Sequence, residues 1–153
     1  MNPSQYPMNQ FAPSYFQGAN LAEGVEYDPK PYTYLYSPNS NSLVNPNELT
    51  ALQEIIGDSV SIEVDSDFLL LGWYCSLYTG TFQIQLLDSS GYLLFSGYLS
   101  SAAISQTSSD PTVFSPPHPF PAGGRIQINI QDLSNATNPL QIAFVGEKLF
   151  RKG

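Results

Sequence analysis

The chain has 153 residues, the length of one domain, with 42% hydrophobic and 13% aromatic residues but only 12% charged ones. Its net charge of −8, from five Lys and Arg against thirteen Asp and Glu, argues against nucleic acid and anionic membranes, both of which are bound through cations. The one cysteine, Cys75, leaves no intrachain disulfide and no multi-cysteine metal site.

The N-terminal "MNPSQYPMNQF" has neither a basic start nor an apolar run, so it does not read as a secretory signal, and synthesis in a cytoplasm is expected. Residues 1–58 read as an extended arm rich in Pro, Asn, Ser and Tyr, with too few aliphatic residues to bury. Aromatic residues anchor interfaces, so Tyr15, Phe16, Tyr27, Tyr32, Tyr34 and Tyr36 are candidate partner contacts. The competing reading packs the arm back on its own domain or leaves it disordered. Within it, "NPNELTALQEIIGD" predicts one short helix over 46–56. Asn45 can cap it, Pro46 suits its first position, Gly57 can end it, and Leu49, Leu52, Ile55 and Ile56 share a helical face. A strand that starts early is the competitor.

From Ser59 the apolar period becomes two. Val60, Ile62 and Val64 alternate with polar residues, as do Phe82, Ile84 and Leu86, then Ile126, Ile128 and Ile130, then Leu140, Ile142 and Phe144. "FLLLGWYCSLY" places Leu69, Leu71, Trp73, Cys75 and Leu77 on one side, with Phe68, Leu70, Tyr74 and Tyr78 on the other. A strand apolar on both faces is covered on both, which makes Phe68 and Tyr74 further partner candidates. At 11 residues it falls well short of the ~20 that span a bilayer as a helix. Thr79-Gly80 and Ser89-Ser90-Gly91 read as hairpin turns. "SSAAISQTSSDPTVFSPPHPFPAGG" reads as a long polar excursion in which "TVF" can add a short strand. The fold class is therefore all-β, an antiparallel sandwich or jelly roll over 59–153, with an extended N-terminal arm and at most one short helix.

The chemical readings are weak. Gly123-Gly124 before Arg125 could suggest a phosphate loop, but such loops follow a strand and open a helix. Here a proline run precedes and a strand follows, so Pro121, Gly123, Gly124 and Arg125 read as a structural corner. Glu63, Asp65 and Asp67 would share a strand face, yet the glycine and closing glutamate of a calcium loop are missing. A pairing of Cys75 with the single histidine, His118, competes with a cysteine that merely fills an apolar strand. The sequence thus yields no catalytic, cofactor-binding or metal-ligating residue, and no enzyme is expected.

Five segments carry a resemblance: Asp-x-Asp-Phe at Asp65–Phe68, Gly-x-Phe at Gly80–Phe82, Phe-Pro-Ala-Gly-Gly-Arg-Ile at Phe120–Ile126, Asp-Leu-Ser at Asp132–Ser134, and Phe-x-Gly-x-Lys at Phe144–Lys148. In order and spacing they resemble the capsid decoration (cement) and head-accessory virion proteins of tailed bacteriophages. The resemblance spans 59–150 and includes Asp67 among the motif residues. It implies a structural, non-enzymatic protein on the capsid surface of the virion, made in the host cytoplasm. The implied partner is the major capsid protein, and the implied assembly is a homo-oligomer, a trimer by analogy. A tail, collar or baseplate station is the alternative within that class. A carbohydrate-binding jelly roll for host adhesion, with Tyr92, Tyr98 and Phe114 stacking on sugars, is the alternative outside it.

Overall fold

The computed structural model describes residues 25–152. Ten strands run in chain order: β1 (Tyr27–Tyr36), β2 (Glu48–Leu49), β3 (Glu54–Ser61), β4 (Asp67–Leu77), β5 (Phe82–Leu87), β6 (Leu99–Ser100), β7 (Thr112–Phe120), β8 (Arg125–Asp132), β9 (Asn138–Pro139) and β10 (Gln141–Arg151). Two four-stranded sheets of order β1-β10-β4-β7 and β3-β8-β5-β6 carry the core, and β2 and β9 form a small third ladder. All pairings are antiparallel. The fold is an all-β sandwich.

The pairings nest. Leaving aside the short β2–β9 ladder, the first strand pairs with the last (β1 with β10), the second with the next to last (β3 with β8), then β4 with β7 and β5 with β6. Alternation in the sequence drives the layers: β5 and β8 bury every second residue. Phe82, Ile84, Leu86, Ile126, Ile128 and Ile130 meet Phe68, Trp73, Phe144 and Ile142 in one core.

Several expectations are corrected. First, the sandwich begins at Tyr27, inside the span read as an arm. All ten residues of β1 pair with β10, and Tyr34 and Tyr36 enter the core. Pro29 and Pro31 hide this strand in the sequence, yet prolines are compatible with an edge position. Second, residues 46–56 form no helix. Only Leu49 of the four aliphatics is fully buried; Leu52 and Ile56 are 57% and 63% exposed. Asn47 and Leu52 take φ of 65° and 59°, and the Gln53 N–H closes a turn on the Thr50 carbonyl at 3.0 Å. Pairing with β8 satisfies this backbone instead, with a bulge between Ile55 and Asp58.

Third, the faces of β4 switch at a register shift between Leu70 and Gly72. Phe68, Leu70, Trp73 and Cys75 point into the core, while Leu69 joins a separate outer cluster with Tyr27 and Leu149. A bulge breaks the strict period of two. Fourth, the polar excursion contains the nine-residue β7. Thr79-Gly80 joins strands of different sheets, so it is a crossover rather than a hairpin.

The four edges of the two large sheets are each interrupted. β1 carries Pro29 and Pro31, and β7 carries Pro116, Pro117 and Pro119, with a cis bond at Ser115-Pro116. β6 is only two residues long. On β3 the bulge interrupts the edge, and the Ser59 N–H is taken by the Asp58 carboxylate at 3.0 Å.

Candidate partner interface

Tyr15 and Phe16 lie outside the described residues. The other candidate aromatics serve mainly to build the molecule. Tyr34 meets Phe68 edge-on, with ring centroids 4.8 Å apart, and its hydroxyl accepts the Glu63 N–H at 3.0 Å. Tyr36 is buried and donates to Asp58 at 2.8 Å. Burial, then this bond, raises the Tyr36 phenol above its ordinary value. Tyr27 is buried with Leu69 and Leu149. Tyr32 is half-buried and donates to Glu63 at 2.9 Å, with the Lys148 ammonium 4.2 Å from its ring centroid. Tyr74 alone stands half-exposed on an outer sheet face.

The acidic run is divided between two tasks. Glu63 and Asp65 converge on the Lys148 ammonium at 2.9 and 3.1 Å, and the Lys148 side chain is only 7% exposed. Burial alone would lower the lysine pKa, but the two carboxylates outweigh it and raise it. Asp67 instead accepts the Ala122 N–H at 2.8 Å. That bond holds the corner predicted from the glycine pair. Gly123 there has φ +76°, a conformation that favours glycine, and the Gly124 N–H returns to the Pro121 carbonyl at 2.9 Å. Arg125 stands exposed at the start of β8.

Cys75 and His118 lie apart. His118 pairs across from Leu70, five residues along β4 from Cys75, about 16 Å at the rise of a strand. Burial, little relieved by backbone bonds, pushes the Cys75 thiol up to about 11. Burial also lowers the His118 pKa, against the pull of Asp88 at 4.0 Å. An opening of about 360 Å³ at the edges of β1 and β3 is lined by Tyr36, Ser37, Asp58 and Ser61, among others.

The two outer faces differ in chemistry. On the β1-β10-β4-β7 sheet, Leu35, Ala143 and Tyr74 line up across three strands. Beside them Thr33, Val145, Gly72 and Val113 cross all four. These rows carry no charge, and Leu35 and Val113 are 56% and 71% exposed. Gly72 belongs there because a Cβ would meet the Thr112 carbonyl oxygen at 2.7 Å. Past Leu35 the chain enters a loop where Leu43 and Val44 are 100% and 82% exposed. Apart from Tyr74, sequence reading missed these positions, although the near-unbroken apolarity of "QIAFV" already signals a strand covered on both faces.

The face of the β3-β8-β5-β6 sheet is instead a lattice of amides. Gln83 donates to Gln131, and Asn129 donates to Gln85, both at 2.9 Å. Gln127 donates to the Asp88 carbonyl at 3.0 Å, and the Gly57 N–H reaches Asn129 at 2.8 Å. Comparison of the chain with protein-family models, with curated proteins and with solved structures gives no match.

Proposed function

We propose that this chain is a structural virion protein of a tailed bacteriophage, a capsid decoration protein that binds the major capsid protein and reinforces the shell. The nested strand order supports a jelly-roll reading of the sandwich. The observation that carries the functional reading is the uncharged apolar row that crosses the β1-β10-β4-β7 sheet. On a chain of net charge −8, such a face is a place where another protein can dock without desolvating charges. The negative charge elsewhere keeps the free protein soluble. The same face can join copies of the chain into the homo-oligomer that the resemblance implies, and the segment before Val25 supplies further aromatic anchors.

The experiment is co-sedimentation of the purified chain with emptied heads of the phage that encodes it, followed by heating of the heads. Saturable binding and a raised rupture temperature are expected. Absence of the protein from purified heads, with its presence on tails, would move it to a collar or baseplate station. Absence from particles altogether would end the reading.

A further inference from the structure

We infer that the outer face of the β3-β8-β5-β6 sheet is a binding site for a neutral glycan. The face holds two carboxamide pairs, Gln83 with Gln131 and Gln85 with Asn129. These pairs sit in successive cross-strand rows of β5 and β8, so they form a flat patch. A carboxamide offers two donors and two acceptor lone pairs. Each side-chain pair consumes one donor and one acceptor, so the patch keeps a mixed supply of both. A sugar ring presents neighbouring hydroxyls of the same mixed kind. Anions fit worse, because the four amides are uncharged and Glu54 stands directly across β3 from Gln131, while Arg125 lies at the far end of β8.

The second observation is the aromatic beside the amides. β6 pairs with β5 through Gln83–Ser100 and Ile84–Leu99. Leu99 packs toward the core while Ser100 is exposed, and the same alternation and register carried one residue back from β6 assign Tyr98 to the outer side, across from Gln85. Tyr98 is 39% exposed, and Leu93, bridged to Leu87 on the same strand edge, is 47% exposed. A tyrosine ring presents a flat face to the C–H side of a sugar while amides meet its hydroxyl edge. A charged polymer or a nucleic acid would gain nothing from this surface. The other two aromatics proposed from the sequence divide. Tyr92 is 75% exposed, but the Phe114 ring lies 5.4 Å from Trp73 and serves the core.

The site does not depend on capsid binding, because it lies on the opposite sheet from the apolar row. The test uses the full chain on an array of neutral and acidic glycans, with saturation-transfer NMR on maltohexaose, chitohexaose and mannohexaose as probes. Binding to neutral glycans and none to sulfated or sialylated ones is expected. Tyr98→Ala should weaken that binding about tenfold, and Gln85→Leu should weaken it to a similar extent, with thermal midpoints close to that of the parent. Silence toward all neutral glycans at millimolar concentration would overturn the inference. So would binding that survives both substitutions. Loss of capsid association in Gln85→Leu would make the face a protein interface and would also overturn it. Loss of capsid association by the parent alone would sink the proposed function and leave the glycan site standing.

Discussion

Lys148 Nζ lies 2.9 Å from Glu63 Oε2, although 85 residues separate the two in the chain. The contact ties the last strand of one sheet to the loop that leaves β3 for β4. Glu63 is held below the usual carboxylate range, first by its hydrogen bond from Lys148 and then by that from Tyr32. A carboxylate with a depressed folded pKa adds stability that is present above its unfolded value of about 4.3 and is lost as the pH falls through the folded value. The thermal midpoint should therefore drop below about pH 4.3, and Lys148→Met should make that drop shallower. Thermal scans from acid to neutral pH would check this; equal slopes in parent and variant would remove Glu63 as the source.

Glu147 behaves in the opposite sense. It is 4% exposed, on the outer side of β10 across from Leu69, and its Oε2 is buried with no hydrogen-bond partner. Burial raises its pKa. The folded state favours the neutral acid, so stability declines as the pH rises from about 4.3 toward the folded value. Glu147→Leu should gain on the order of 1 kcal/mol at neutral pH, and Glu147→Gln should flatten this part of the pH profile. Chemical denaturation at two pH values measures both effects.

Asp132 is the polar centre of the loop end. Fully buried, it accepts the Leu52 N–H at 2.9 Å, the Ser134 hydroxyl at 3.0 Å and the Asn138 amide at 3.2 Å. Asn138 in turn accepts the N–H groups of Thr79 and Gly80 at 3.0 and 3.1 Å. Asp132→Ala strands several donors at once, the buried Asn138 amide among them, so a loss of about 3 kcal/mol or more is expected in urea unfolding. A loss under about 1 kcal/mol would mean that water replaces the carboxylate.

Gly123→Val tests the corner. A β-branched residue at φ +76° should cost about 1–2 kcal/mol. Asp67→Ala, which frees the Ala122 N–H, should cost less because that bond is exposed. Differential scanning calorimetry of the two variants gives the ranking, and a reversed order would refute the strained-glycine account.

Val145→Glu tests the apolar row. The side chain is only half-buried, so the fold should survive, with a thermal midpoint within a few degrees of the parent. Attachment to heads should fall tenfold or more, because the new charge loses its water without a partner. Unchanged attachment would exclude this face as the docking surface.

Much of the sandwich was legible where polar and apolar residues alternate without interruption, as in β5 and β8. The two-sided burial of β4 was legible as well, because charged residues are missing from "FLLLGWYC". The bulge that swaps its faces at Leu71-Gly72 was not, since it depends on the close approach of Thr112 from β7. β1 was hidden although Tyr32, Tyr34 and Tyr36 keep period two, because its prolines suggest an arm. The helical spacing of Leu49, Leu52, Ile55 and Ile56 misled for the converse reason. Local pattern proposed a helix, and cross-strand bonds from Asp132 and Gln131 decided for a turn and a strand. The amide lattice was present as outward-facing Gln and Asn, but only the register shows which amides meet.

The guarded edges have a consequence for life at high density. At high concentration, copies of a sandwich with bare strand edges would zip into fibres. Prolines on two rims of the large sheets, a two-residue strand on the third, and a bulge with one N–H already claimed on the fourth interrupt the backbone that a neighbour would extend. Crowding can then press these sandwiches together broadside, in a packing that can be undone, without seeding an amyloid.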